Sequence, residues 1–159
     1  MKRVAPHRGK PWLRAGAALS GLAALLHVAV IFGGPEWYRF FGAGEELAMA
    51  ASRGEWFPAV VTAAIALVLA VWAVFALSGA GSIMRLPLLR VALLGISAIY
   101  LARGLLIVPV IAFVPYPEGA FDYWSSAIVL GYGMVHAIGT WLAWHALQPA
   151  LNPSATAGV

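Results

Sequence analysis

The residues here that could do chemistry are histidines, tyrosines, serines and one arginine set within apolar runs. Arg103 lies in the stretch Leu86 to Pro109, LPLLRVALLGISAIYLARGLLIVP, which is long enough to cross a bilayer. An arginine keeps its proton in lipid, so it must face the interior of a helix bundle, reach a water-filled cavity or snorkel to an interface. Its planar fork of donors suits carboxylate or phosphate. That chemistry points to a small anionic or amphipathic ligand, lipid headgroups included. Tyr100 stands one turn deeper on nearly the same side of that helix. On the last apolar run Ser125, Tyr132, His136 and Thr140 fall on a single helical stripe.

Depth decides which of these can meet. His27 precedes the end of the first run by about six residues and Arg103 precedes Pro109 by about six, which puts both ~9 Å below one boundary. The ligand-binding set expected from this is His27, Tyr100, Arg103, Tyr132 and His136, in a cavity open at that boundary. Glu45, Glu46 or Glu55 would serve as the resting counter-ion. The structural alternative is that the same side chains merely hydrogen-bond across helices and fix their register.

Other chemistries fit less well. With no cysteine in the chain, disulfides, thiolate metal sites and cysteine nucleophiles are excluded. No two histidines are spaced to share a metal on one helix face, and the carboxylates are not interleaved with them, so no metal ligands are expected. A haem between His27 and His136, as in four-helix membrane cytochromes, requires one height, whereas the estimated depths differ by ~11 Å. His145 falls near the end of the last run, on roughly the opposite face from His136. The chain has no G-x-S-x-G, P-loop, H-E-x-x-H or dinucleotide fingerprint. Ser125, three residues after Asp122, reads as part of a helix cap. Neither catalytic residues nor a cofactor are therefore expected.

These residues need helices to position them. The chain is 62% hydrophobic and only 10% charged over 159 residues, with a mean hydropathy of +0.87, so lipid must solvate most of it. The expected fold is all-α, one integral membrane domain forming a four-transmembrane-helix bundle. Its spans are expected at about 12–33, 56–78, 86–109 and 123–147. Small residues Gly16, Ala17, Ser20, Gly21 and Ala23 let the first span approach a neighbour closely.

Between the first two spans, residues 34–55 are too polar to cross and too amphipathic for a plain loop. Pro35 opens a short turn, Gly42 and Gly44 break it, and Glu45 to Ser52 forms a second short helix with both acids in its first turn. Trp37, Tyr38, Phe40 and Phe41 suit a membrane surface. This segment is expected to cap the bundle on its extracytoplasmic side. Pro115 and Pro117 stiffen the link before the fourth span, Asp122 is its N-cap, and the tail 148–159 is disordered.

Charge sets the orientation. Lys2, Arg3, Arg8, Lys10, Arg14, Arg85 and Arg90 fall on one side, while all six acidic residues fall on the other with Arg39 and Arg53. The positive side is expected in the cytoplasm with both termini, in a bacterial inner membrane. The formal net charge of +4 then reflects topology and not nucleic-acid binding.

His27-x5-Gly33-Gly34, Tyr100-Leu-Ala-Arg103-Gly104 and Asp122-Tyr-Trp-Ser125 together resemble a family of small four-span bacterial inner-membrane proteins of uncharacterised function. The likeness covers roughly residues 15–145. It implies a shared topology and a shared polar layer, and it lends no activity. Those proteins have a differently composed first loop, so the likeness leaves the amphipathic cap of this chain unexplained. The function expected is a membrane accessory or scaffold protein that recognises another membrane protein or itself. The alternative is the anionic-ligand binder built around Arg103.

Overall fold

A computed structural model describes residues 3–107 and 120–148. The described residues form five helices and no strand: α1 (Lys10–Phe40), α2 (Glu45–Ser52), α3 (Phe57–Gly79), α4 (Leu89–Leu105) and α5 (Ala120–Leu142). Three of them, α1, α3 and α5, are long and apolar enough to cross a membrane. The link carrying Pro109, Pro115, Pro117 and Glu118, and nearly all of the tail, lie outside the described residues.

The four longer helices run antiparallel to their neighbours. Gly79 at the end of α3 packs on Leu13 near the start of α1, and Tyr38 at the far end of α1 meets Thr62 near the start of α3. Likewise Gly104 late in α4 meets Leu130, and Gly133 further along α5 meets Leu101. These contacts form two closely packed pairs, α1 with α3 and α4 with α5, joined chiefly along a seam between α1 and α5. A Cβ at Gly104 would lie 2.7 Å from the Leu130 backbone, so the absence of a side chain there lets α4 and α5 pack backbone to backbone. The core is a column of small and aliphatic residues that includes Leu13, Ala17, Leu93 and Ile96. Leu22, Phe32, Leu67, Val91 and Ile99 face outward, as expected of surfaces that meet acyl chains.

Helix α1 is not straight. Gly34 has φ 69° and ψ −155°, a conformation open essentially to glycine, and Pro35 restarts the helix after it. The expected break after Gly33 and Gly34 is thus a kink inside a longer helix. Gly42 and Gly44, both at positive φ, separate the end of α1 from α2 as expected. Helix α2 begins and ends where the sequence predicted, with Glu45 and Glu46 in its first turn. It packs on α1 and α3, burying Ala48 beside Val30 and Tyr38.

Two boundaries move. Helix α4 begins at Leu89, because Pro87 and a left-handed Leu88 (φ 51°) hold the turn after α3 open. Helix α5 begins at Ala120, so Asp122 sits inside its first turn and is not its N-cap. It also stops at Leu142. Residues 143–147 continue as bonded turns whose last carbonyls, on Ala146 and Leu147, accept hydrogen bonds from Arg85.

The charges separate by end. Arg14, Arg85 and Arg90 gather where α1 and α4 begin and α3 and α5 finish. Glu36, Glu45 and Glu55 lie at the other end, paired with Arg39 and Arg53. Exposed tryptophans mark both ends, Trp12 and Trp141 at the basic end and Trp37, Trp56 and Trp124 at the acidic one.

Candidate functional site

Part of the expected polar set meets in the middle of the fold. Tyr100 of α4 packs edge-to-face on Tyr132 of α5 and tilted against His136 of α5, with ring centroids 5.7 Å (Tyr100–Tyr132) and 5.2 Å (Tyr100–His136) apart. Trp72 of α3 closes on Tyr100 edge-on at 4.9 Å. From α1, Ser20 Oγ lies 3.0 Å from the Tyr100 hydroxyl and 3.5 Å from His136 Nε2. All four longer helices therefore contribute.

The direction of these bonds follows from elimination. His136 Nδ1 lies 3.0 Å from the Tyr132 carbonyl, which can only accept, so Nδ1 carries the proton. In this buried site, with no carboxylate beside it, the imidazole is neutral, so Nε2 is the acceptor and the Ser20 hydroxyl donates to it. The Ser20 oxygen in turn accepts the Tyr100 O–H. The result is an uncharged chain, Tyr100 to Ser20 to His136 to a backbone carbonyl. Ser20 and His136 have 0% exposure and Tyr100 has 5%. A serine beside a histidine suggests hydrolysis, but this pair has no exposed surface to offer a substrate. The histidine is also oriented by a carbonyl and not by a carboxylate.

Local sequence explains why the ring fits. A Cβ at Gly16 would lie 2.8 Å from His136 Cε1, so the bare backbone of α1 supplies the wall of the histidine pocket. One turn further along α5, Thr140 is 98% buried and its Oγ1 has no partner among the described residues. Other buried hydroxyls, on Thr62 and Ser97, donate to the carbonyl one turn back within their own helices.

Arg103 and His27 stand outside this cluster. The His27 ring bonds to the Ala23 carbonyl at 2.8 Å and is half-buried. It lies two turns, ~10 Å, along α1 from Ser20, so the structure does not bring it to His136. Arg103 is exposed, in the last turn of α4. Its Nη1 donates to Ser126 Oγ at 3.5 Å. Gly104 is level with Leu130, and Ser126 is one turn further toward the acidic end, so the guanidinium reaches outward along the bundle.

The expected counter-ions are engaged elsewhere. Glu45 takes hydrogen bonds from Arg39, which also pairs with Glu36, while Glu55 pairs with Arg53. Glu46 is exposed on α2. The Arg39 hydrogen bond holds the Glu45 carboxyl below its ordinary range and raises Arg39. Arg103 does not line either of two grooves on the described residues. One, of about 520 Å³, runs between α1 and α3 beside Gly21, Ala24, Ala63 and Ala66. The other, of about 720 Å³, lies beside Trp37, Phe40 and Phe41 at the acidic end.

Sequence reasoning missed Ser20 and Trp72 as members of the cluster. Ser20 counted only as a small residue. Its depth of ~20 Å from the acidic boundary, thirteen residues before 33, equals that of His136, thirteen residues after Tyr123, and would have paired the two. No family model, curated protein or solved structure matches the chain.

Proposed function

We propose that this protein is a four-span protein of the bacterial inner membrane, with α4 as the additional span and the basic end in the cytoplasm. Its role is that of an accessory or scaffold protein whose outer surface engages another membrane protein or a second copy of itself. The observation that carries this reading is the closure of the polar cluster. Ser20, Tyr100 and His136 satisfy one another without exposed surface, so the chemistry in the core is used to hold helices together. The charge asymmetry of the two ends supports the orientation. The likeness in the His27, Arg103 and Asp122 segments supports the family and its topology. Helix α2, packed on α1 and α3 at the acidic end, is then the extracytoplasmic cap.

The test is photocrosslinking in native membranes from positions on the lipid-facing wall of α3, such as Leu67. Discrete protein adducts are expected; lipid adducts alone from every position would remove the scaffold reading.

One observation favours the second reading, a binder of an anionic ligand or headgroup. The exposed Arg103 guanidinium reaches outward beside the buried Ser126 hydroxyl. Arg103→Gln would abolish uptake of anionic amphiphiles on this reading and leave it unchanged on the first. The haem reading has the least support, because Gly16 and Tyr100 pack directly on the His136 ring.

A further inference from the structure

The Arg90 side chain is held by an aromatic face and by no hydrogen bond among the described residues. Its guanidinium lies 3.3 Å from the centroid of the Trp144 ring. The residue is half-buried, and its Nε is enclosed without an acceptor among the described residues. The two Nη atoms are also unbonded there, but they reach the surface. An indole face attracts the cation without accepting its N–H groups, so the planar fork is fixed in place with its end still open. A guanidinium drawn off water with no acceptor is costly, and a bound anion would offset that cost.

A second cation is brought to the same place. Arg85 donates to the Ala146 and Leu147 carbonyls, so both arginines lie on the short bonded stretch from Trp144 to Leu147 that follows α5. Arg85 thereby covers carbonyls that would otherwise repel an anion. Arg90 stands in the first turn of α4, whose N-terminus has no side-chain cap and no acidic residue. The positive end of that helix adds to both charges. The described carboxylates are all at the other end: Glu36, Glu45 and Glu55 pair with Arg39 and Arg53, Glu46 is on α2, and Asp122 is in the first turn of α5.

We propose that Arg90 and Arg85 form an oxyanion site at the basic end of the bundle, and that the group it takes is a phosphate, carried on a lipid headgroup or free. A carboxylate has oxygens enough for one fork. A phosphate can bond both Nη atoms of Arg90 in parallel and still turn a further oxygen toward Arg85. The site goes beyond the scaffold role and does not depend on it.

The test is NMR of the full chain in maltoside micelles with isotope-labelled arginine, because an enclosed Nε–H exchanges slowly with water and reports on its own guanidinium. The Arg90 signal is assigned by its loss in Arg90→Lys. Inorganic phosphate and a short-chain phosphatidylglycerol are added separately, with chloride at matched ionic strength as the control. A saturable shift with either phosphate probe and none with chloride is the expected result, and the probe that acts at the lower concentration identifies the source. No saturable shift with either probe, or an equal response to chloride, overturns the site. Arg85→Gln should raise the midpoint for phosphate roughly tenfold, and an unchanged midpoint in the folded variant overturns the pairing of the two arginines. Should that variant fail to fold, acetate decides in the unaltered protein: it must bind more weakly than phosphate, and equal midpoints overturn the pairing. Loss of protein crosslinks from α3 with the phosphate response intact would remove the scaffold role and leave this site standing.

Discussion

The Tyr100 hydroxyl and Ser20 Oγ lie 3.0 Å apart, joining α4 to α1 across 80 residues of sequence in a buried environment. Removing either oxygen leaves His136 Nε2 without an oriented donor chain. Ser20→Ala is expected to cost roughly 0.5–1.5 kcal/mol and Tyr100→Phe a similar amount. The double variant should cost less than the sum, because both changes break one chain. Reversible unfolding in mixed micelles measures all three, and strict additivity would show that the bond contributes nothing.

Gly16→Ala tests the wall of the histidine pocket. The new methyl would meet His136 Cε1 at 2.8 Å, and overpacking of this kind costs about 1–3 kcal/mol. Combined with His136→Ala the clash disappears, so the Gly16 change should be nearly neutral in that background. A persistent penalty would place the strain elsewhere.

Gly34→Ala tests the kink in α1. At φ 69° and ψ −155° any side chain is strained, with an expected loss of about 1–3 kcal/mol. Faster hydrogen exchange across Pro35–Phe40 and α2 should accompany it, since both follow from the direction the kink imposes.

The Arg39–Glu45 pair predicts an acid response of α2. In the folded protein the Arg39 hydrogen bond lowers the Glu45 pKa below its ordinary 4.5. The unfolded chain therefore takes up the proton first as pH falls. Whatever the pair contributes is complete above about pH 4.5 and is lost as pH drops through the lower folded value. Both groups are exposed, so the effect is small and weakened by salt. The protection factors of the α2 amides, which correct exchange for its intrinsic pH dependence, should fall at low pH in the unaltered protein and fall less in Glu45→Gln.

Arg103→Gln should barely change the unfolding midpoint, within about 0.5 kcal/mol, because the guanidinium is exposed and its described bond is long. A loss of several kcal/mol would mean that this arginine is an internal strut after all.

Much of this architecture was legible from period and punctuation. Helix α2 could be placed because glycines and a glutamate pair bracket it, and α3 because Pro58 and Gly79 mark its ends. The ends of α4 and α5 were less legible, since Leu88 adopts a left-handed conformation that no leucine advertises, and the carbonyls that Arg85 binds are fixed by tertiary contact. The polar cluster was half visible. Tyr100, Tyr132 and His136 share helical stripes, but depth was reckoned from the outer boundary, which paired His27 with Arg103. From that same boundary Ser20 and His136 share one depth, ~20 Å, but Ser20 was counted only as a small residue. Arg103 falls in the last turn of α4, which closes at Leu105, and its side chain reaches Ser126 toward the acidic end, a direction the sequence did not show.

The first residues of the chain read as a charge signal, yet they are built into the body. Val4 is buried with its carbonyl against Gly81, and the His7 ring reaches the Gly79 carbonyl at 2.9 Å. The amino-terminal strap thereby clasps the hairpin between the second and third long helices. A reporter or affinity handle fused tightly ahead of Val4 would pry that clasp open, whereas the same handle on a slack spacer would leave it shut.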